Sequence, residues 1–352
     1  MDCDMQKKVT IFSNNFTPGR EGVSNQIDLL LTHLARNSDL KITLHDISHT
    51  FRFNCSSSHI SYGLPFLPFG ILLTKLIEKR SDLIHIFGSL TGRLYLHMLK
   101  KQPILLTNSS AIRESRVKEC SKHWTKIDKI IVECRRDEDR VIEYGIERDR
   151  VSLLYPGLDL DAFSYTPPAD GFRIGFASSP ISSDKQGINA RGVELLVSAA
   201  RQLKDVEFLL LWREKHYSTI QSLLTKSPPP NLSVINKILP DMNAFYGTVH
   251  CTILPSTSMD DCKPCPNSLM ESLSAGKPVL VSDRVGISDI VNDAGCGLVF
   301  QADMDDIIAK IHEMQDRYSI YQSKARQTAE KYFSVDSFVT EYTKMYNTLV
   351  VS

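Results

Sequence analysis

The chain has 352 residues, room for two domains that each bury a core, and its 41 basic and 41 acidic side chains cancel to a net charge of zero. No excess charge is left to gather a polyanion, which sets nucleic-acid binding aside. Eight cysteines without regular spacing suit reduced thiols, no apolar run is long enough to span a bilayer, and Met1–Ser13 carries no charged, then apolar, then small-residue leader, so a cytoplasmic chain is expected.

The first half alternates strand and helix patterns. Val9–Phe12 predicts a strand, Val23–Ala35 an amphipathic helix and Ile42–Leu44 a second strand. Between them NNFTPGREG (Asn14–Gly22) is a loop in which Gly19 and Gly22 serve either a turn or a close backbone approach to a ligand. Residues 60–77, ISYGLPFLPFGILLTKLI, are too broken by proline and glycine for a membrane helix. With Lys75, Lys79 and Arg80 they read either as packed core or, over residues 60–80, as a surface for peripheral membrane contact. Leu83–Phe87, Ile104–Thr107, Lys129–Val132 and Val151–Leu154 predict further strands, a pattern that implies a parallel sheet wrapped by helices.

Thr166–Gly171, TPPADG, has the composition of a linker. A second alternating set follows, with strands expected at Arg173–Ala177, Val206–Leu211, Leu232–Ile235, Cys251–Leu254, Val279–Val281 and Gly297–Phe300, and helices from Met304 onward. The fold class expected is α/β, two Rossmann-like doubly wound domains facing a cleft.

The stretch Asp260–Phe300 carries the most chemistry. Pro266, Asn267 and Ser268 open a helix that Gly276 and Pro278 close, so a polar loop sits where a strand ends and a helix begins, a place suited to an anion such as a diphosphate. Glu271 has two readings. With Ser268 it forms a capping box, the commoner arrangement for this spacing. As an ionised, acceptor-only group it also suits two sugar hydroxyls of a nucleotide. Cys262 and Cys265 form one CxxC, too little for a zinc site, and Asp159 and Asp161 are assigned to a turn and helix start despite their DxD spacing. No metal site is expected.

The segment PNSLMESLSAGKPVLVSDRVG resembles the nucleotide-sugar site of family 4 retaining glycosyltransferases, enzymes of the GT-B fold. Three other segments are similar to that family in the same order: LLYPGLDLDAF (Leu153–Phe163), RGVELLVSAARQL (Arg191–Leu203) and ARQTAEKYFSVDSFVTEYTKMYNTLV (Ala325–Val350). The likeness is dense from about Val151 and diffuse before it. It implies an acceptor domain over residues 1–165, a donor domain over 166–330 and a closing helix, 331–352, that crosses back to the first domain. It also implies a nucleoside diphosphate sugar as donor, an unidentified acceptor (glycan, lipid-linked or small molecule) and no cofactor or essential metal.

By the same resemblance Arg191, in place of the family's lysine before Gly192, is the first candidate to stabilise the leaving diphosphate. Arg213, at a strand's carboxyl end, and Lys185 are further candidates. Pro266, Asn267, Ser268 and Leu269 line the donor with Glu271, Gly22 lies near its phosphates, and Asn108 takes the point where relatives place a histidine. The family's two glutamates are separated by seven residues, and the first position here is Lys263. That departure leaves the first glutamate's role to Lys263, to Asp260 or Asp261, or unfilled. A nucleotide-sugar epimerase and an inactive nucleotide-sugar binding subunit are the rival readings.

Overall fold

The computed structural model describes residues 6–351 except 15, 19–20, 36–38, 49–52, 56–58, 64–66, 93–95, 97, 179–184, 213–216 and 225–227. Two compact units result, one of Met1–Leu158 with Val335–Ser352 and one of Asp159–Ser334.

In the first unit the elements run β1 (Lys7–Ser13), α1 (Gly22–Leu34), β2 (Leu40–Ser48), β3 (Phe53–Cys55), β4 (His59–Gly63), α2 (Leu67–Glu78), β5 (Leu83–Gly88), β6 (Ile104–Asn108), α3 (Glu114–Ser121), β7 (Lys129–Val132), α4 (Arg135–Glu143) and β8 (Val151–Leu153). The strands form one sheet in the order β3-β4-β2-β1-β5-β6-β7-β8, parallel except for β3 against β4. All six strands expected in this half are present. β3 and β4 were not anticipated, because their short segments lack a sustained period-two pattern.

Both faces of the sheet are buried, as a parallel sheet requires. On one face Ile84, Ile86, Leu106 and Trp124 pack together; on the other, Val9, Ile11 and Leu44 pack with Ile27 and Leu30 of α1 and with Phe338, Tyr342 and Tyr346 of the closing helix, Val335–Val351. That helix is tied in by polar contacts too. His85 lies fully buried in β5, with Nδ1 2.7 Å from the Tyr346 hydroxyl and Nε2 2.8 Å from Thr107 Oγ1, itself 2.7 Å from the Tyr342 hydroxyl. Burial lowers the His85 pKa to about 3, so the ring is neutral in the folded chain.

In the second unit the order is β9 (Phe172–Ala177), α5 (Lys185–Ala190), α6 (Val193–Gln202), β10 (Val206–Leu211), α7 (Tyr217–Leu224), β11 (Leu232–Ile235), α8 (Met242–Gly247), β12 (Cys251–Leu254), α9 (Asn267–Ser274), β13 (Val279–Ser282), α10 (Ser288–Ala294), β14 (Gly297–Phe300), α11 (Met304–Asp316) and α12 (Tyr318–Tyr332). Its six strands, all parallel, are ordered β11-β10-β9-β12-β13-β14. This is the doubly wound dinucleotide-fold order, and each strand falls where the sequence placed one.

The division between the units falls at Leu158/Asp159, ahead of the Pro- and Gly-bearing Thr166–Gly171. The reason is a set of bonds that sequence pattern does not reveal. Arg326 Nη1 donates to the carbonyls of Leu160, Phe163 and Ser274 at 2.8–3.0 Å, and buried Lys277 donates to Thr166 O at 2.6 Å. Residues 160–166 are thereby fastened to the second unit. Asp159 does cap a turn, accepting from Asp161 N–H at 3.1 Å.

Candidate functional site

The strand order of the second unit reverses between β9 and β12, and ligands of such sheets bind outside the carboxyl ends of the strands at that point. Two connections meet there, the α5–α6 junction that follows β9 and the loop Pro255–Pro266 that follows β12. They are stitched together by backbone-directed bonds. Ala190 O accepts from Ser256 Oγ (2.9 Å) and Thr257 N–H (3.0 Å), and Asn189 O accepts from Thr257 Oγ1 (2.9 Å). At Gly192 the backbone has φ +74°, and a Cβ there would lie 1.7 Å from Pro255 O, so only glycine permits the approach.

This junction delivers Arg191 to the loop. Its side chain is buried, at 7% exposure, and Nη1 donates to Cys262 Sγ at 3.8 Å. Among the described residues no carboxylate pairs with it. A buried guanidinium answered, among the described residues, only by a thiol costs free energy that a bound anion would offset.

The amino end of α9 lies at the end of the same loop. Pro266, its N-cap, offers neither an N–H nor a side-chain cap. The N–H groups of Asn267 and Ser268 have no acceptor among the described residues, as expected of a first turn. Leu269 is different, since its N–H returns to Pro266 O at 3.1 Å and its side chain lies in the core. Lys263, next in sequence to Cys262, donates from Nζ to Asn267 Oδ1 at 3.3 Å. Two cations and a helix end carrying partial positive charge are thus held by one loop, a constellation suited to phosphate oxygens.

The capping box expected at Ser268 and Glu271 is absent. Helix α9 starts two residues earlier than a Ser268 cap requires, with Pro266 as its N-cap, so Ser268 sits inside the first turn, and the Glu271 carboxylate turns elsewhere. Its Oε2 accepts from the Tyr246 hydroxyl at 2.8 Å, and the same hydroxyl lies 3.0 Å from Ser268 O. Burial and, second, the Glu271 charge push the Tyr246 pKa well above its usual value, so the phenol remains a donor. Tyr246 was missed in the sequence because α8 carries no motif; only the fold shows that its fully buried ring reaches α9. Cys262 was weighed there as half of a CxxC, whereas both Cys262 and Cys265 are buried free thiols and Cys262 serves as the neighbour of Arg191.

Other candidates fare differently. Arg213 and Gly19 lie outside the described residues, as does the side chain of Lys185, the first residue of α5. Gly22 opens α1, while in the loop before it the N–H groups of Phe16 and Thr17 are taken by Asp46 (2.8 Å) and Ser24 (2.9 Å). Asn108 is fully buried. Its Oδ1 accepts from Leu90 N–H at 2.9 Å and its Nδ2 donates to Ser110 O at 2.8 Å, so the amide is committed to joining the β5 and β6 loops and has no atom left for a sugar. Asp261 accepts from Ser258 Oγ at 3.1 Å within the β12–α9 loop.

Residues 181–317 match the family described as glycosyl transferases group 1. No curated protein matches the chain in sequence. Among solved structures, a glycosyltransferase from Rickettsia africae is 17% identical with a TM-score of 0.76, covering 98% of this chain and 99% of its own. Sucrose-phosphate synthase from Thermosynechococcus elongatus is 15% identical with a TM-score of 0.79 over 98% and 100%. HepE from Anabaena, solved with UDP and glucose, is 12% identical with a TM-score of 0.76 over 98% and 100%; it has also been solved with UDP-glucose. The second unit thus matches the glycosyl transferases group 1 model over residues 181–317, and the chain has the GT-B fold of these solved structures.

Proposed function

We propose that the chain is a retaining glycosyltransferase that takes its sugar from a nucleoside diphosphate donor held by the second unit, with acceptor binding assigned to the first. The observation that carries this reading is Arg191, buried with no carboxylate partner among the described residues and held by the same loop as Lys263 and the amides of Asn267 and Ser268, which have no acceptor among those residues. The donor class is supported by HepE, which binds UDP-glucose on the same fold.

In this reading Arg191, Lys263 and the α9 amides hold the diphosphate, and Glu271, braced by Tyr246, accepts from the ribose hydroxyls. Transfer follows a front-face course. The bond between the anomeric carbon and the phosphate oxygen breaks as the acceptor oxygen bonds to that carbon from the same side, and the departing phosphate oxygen takes the acceptor's proton. Charge builds on the leaving phosphate, where preorganised cations and amides act most strongly. The chemistry assigns the stabilising charge to side chains, so chelators are expected to leave the rate unchanged.

The test is transfer or donor hydrolysis across a panel of nucleoside diphosphate sugars. Glu271→Ala is expected to lower activity roughly a hundred- to a thousandfold; wild-type turnover in that variant overturns the assignment. A nucleotide-sugar binding subunit without turnover is the second reading, favoured by a lysine at position 263. Donor binding with no transfer or hydrolysis for any donor would establish it.

A further inference from the structure

The loop before α9 gathers hydrogen-bond donors that serve a lone phosphate as well as a nucleotide. Arg191 is 7% exposed, and among the described residues its side chain meets only the Cys262 thiol, 3.8 Å from Nη1. A guanidinium carries five N–H groups in a planar fork and sulfur is a weak acceptor, so this contact answers little of that capacity. Lys263, the residue after Cys262, donates to Asn267 Oδ1 at 3.3 Å, so two consecutive residues join the guanidinium to the amino end of α9. At that end the N–H groups of Asn267 and Ser268 have no acceptor among the described residues, and Pro266 supplies no side-chain cap.

The kind of donor selects the anion. A carboxylate offers two oxygens, whereas a phosphate offers one edge of a tetrahedron to the guanidinium fork and further oxygens to backbone N–H groups at a helix start. A lysine meets phosphate as a point charge, but an arginine fork grips it bidentately and orients it unaided. Position 191 carries that fork in place of the lysine that the resemblance implies there. Glu271, braced by the Tyr246 hydroxyl at 2.8 Å, is assigned to the nucleoside end, so the phosphate contacts form a separate set.

We propose that, when no donor is bound, this loop holds inorganic phosphate through Arg191, Lys263 and the Asn267 and Ser268 amides, and that free phosphate regulates the chain by competing with the donor's diphosphate. The competition rests on the reading of this loop as the donor site, while the phosphate contact itself requires no nucleoside. Phosphate offsets the buried charge of Arg191, and a donor displaces it by adding the ribose contacts of Glu271.

The experiment is calorimetric titration of the full chain with inorganic phosphate in a chloride buffer of matched ionic strength, then with a nucleoside diphosphate at several fixed phosphate concentrations. The expected result is one phosphate site per chain and an apparent Kd for the nucleoside diphosphate that rises linearly with phosphate. Arg191→Lys keeps the charge but gives up a bond of the fork, so phosphate affinity is expected to fall about tenfold or more. Lys263→Gln, on a half-buried side chain, should lower it by a similar factor and serves if the Arg191 variant misfolds. No phosphate binding, binding that both substitutions leave unchanged, or bound phosphate that does not raise the apparent Kd for the nucleoside diphosphate overturns the proposal. A nucleoside diphosphate that fails to bind even in phosphate-free buffer overturns the donor reading instead, whatever phosphate does.

Discussion

Replacing Arg191 by methionine separates fold from function, because the structure predicts opposite signs for the two. The guanidinium is 7% exposed and, among the described residues, its one side-chain partner is the Cys262 thiol at 3.8 Å, so among them it is a desolvated charge without a counter-ion. Exchanging buried charged groups for apolar ones of similar volume typically gains about 1–4 kcal/mol when packing is kept, and Met fills nearly the space of Arg. A gain of about 1–2 kcal/mol raises Tm by roughly 2–8 °C for a unit of this size. The same change removes a charge-assisted bond to a diphosphate, worth about 1.5–3 kcal/mol, or roughly 10- to 150-fold in affinity. The assay is thermal unfolding with and without a nucleoside diphosphate, beside calorimetric affinity. Arg191→Met should melt higher than wild type without ligand and lose most of the ligand-induced shift. A variant that melts lower, yet binds the diphosphate as tightly as wild type, would refute the reasoning and make Arg191 a structural residue.

Tyr246→Phe keeps the ring and removes the hydroxyl that braces Glu271, so the affinity for a nucleoside diphosphate should fall about tenfold, with little change for its 2′,3′-dideoxy analogue; equal losses for both would assign Tyr246 to the fold alone. His85 is held neutral in the folded chain, with its pKa lowered to about 3, whereas the unfolded chain protonates near pH 6.5. Stability from this residue is thus complete above about pH 6.5 and declines as pH falls toward 3, by about 2 kcal/mol at pH 5, and denaturant titrations of wild type against His85→Gln should show that slope only in wild type.

Much of this architecture was legible because its signals are local. Buried parallel strands read as short apolar runs, and Gly276, with φ +68°, marks the end of α9 where only local geometry matters. The start of that helix was legible as well, since Pro266 can occupy only its first positions. What stayed hidden depends on contacts distant in the chain. Glu271 fits a capping box by spacing, but helix α9 begins two residues early and Tyr246, from another helix, supplies a better donor. Asn108 ends a strand as a sugar-binding residue would, but its amide is used to join two loops. In each case spacing named a plausible partner, and the fold supplied a closer one from an element that no local pattern connects to it.

The two units share a strand order around their first strand, with β4-β2-β1-β5-β6-β7 in one corresponding to β11-β10-β9-β12-β13-β14 in the other. Topology by itself would offer two equivalent anion sites, so the choice must lie in which donors remain uncommitted. Around the first unit's strand ends the described amides of Phe16, Thr17 and Leu90 are taken by Asp46, Ser24 and Asn108, polar side chains that close those loops on themselves. At the second unit's reversal point the side chains that could do the same are spent on carbonyls, as Ser256 and Thr257 are on Ala190 and Asn189. Carbonyl acceptors are consumed there, donors are left over, and a buried guanidinium adds to them. A surplus of donors over acceptors is what a phosphate group requires, so the asymmetry in side-chain bonding among the described residues, rather than the shared fold, is the ground for proposing the second unit as the diphosphate's site.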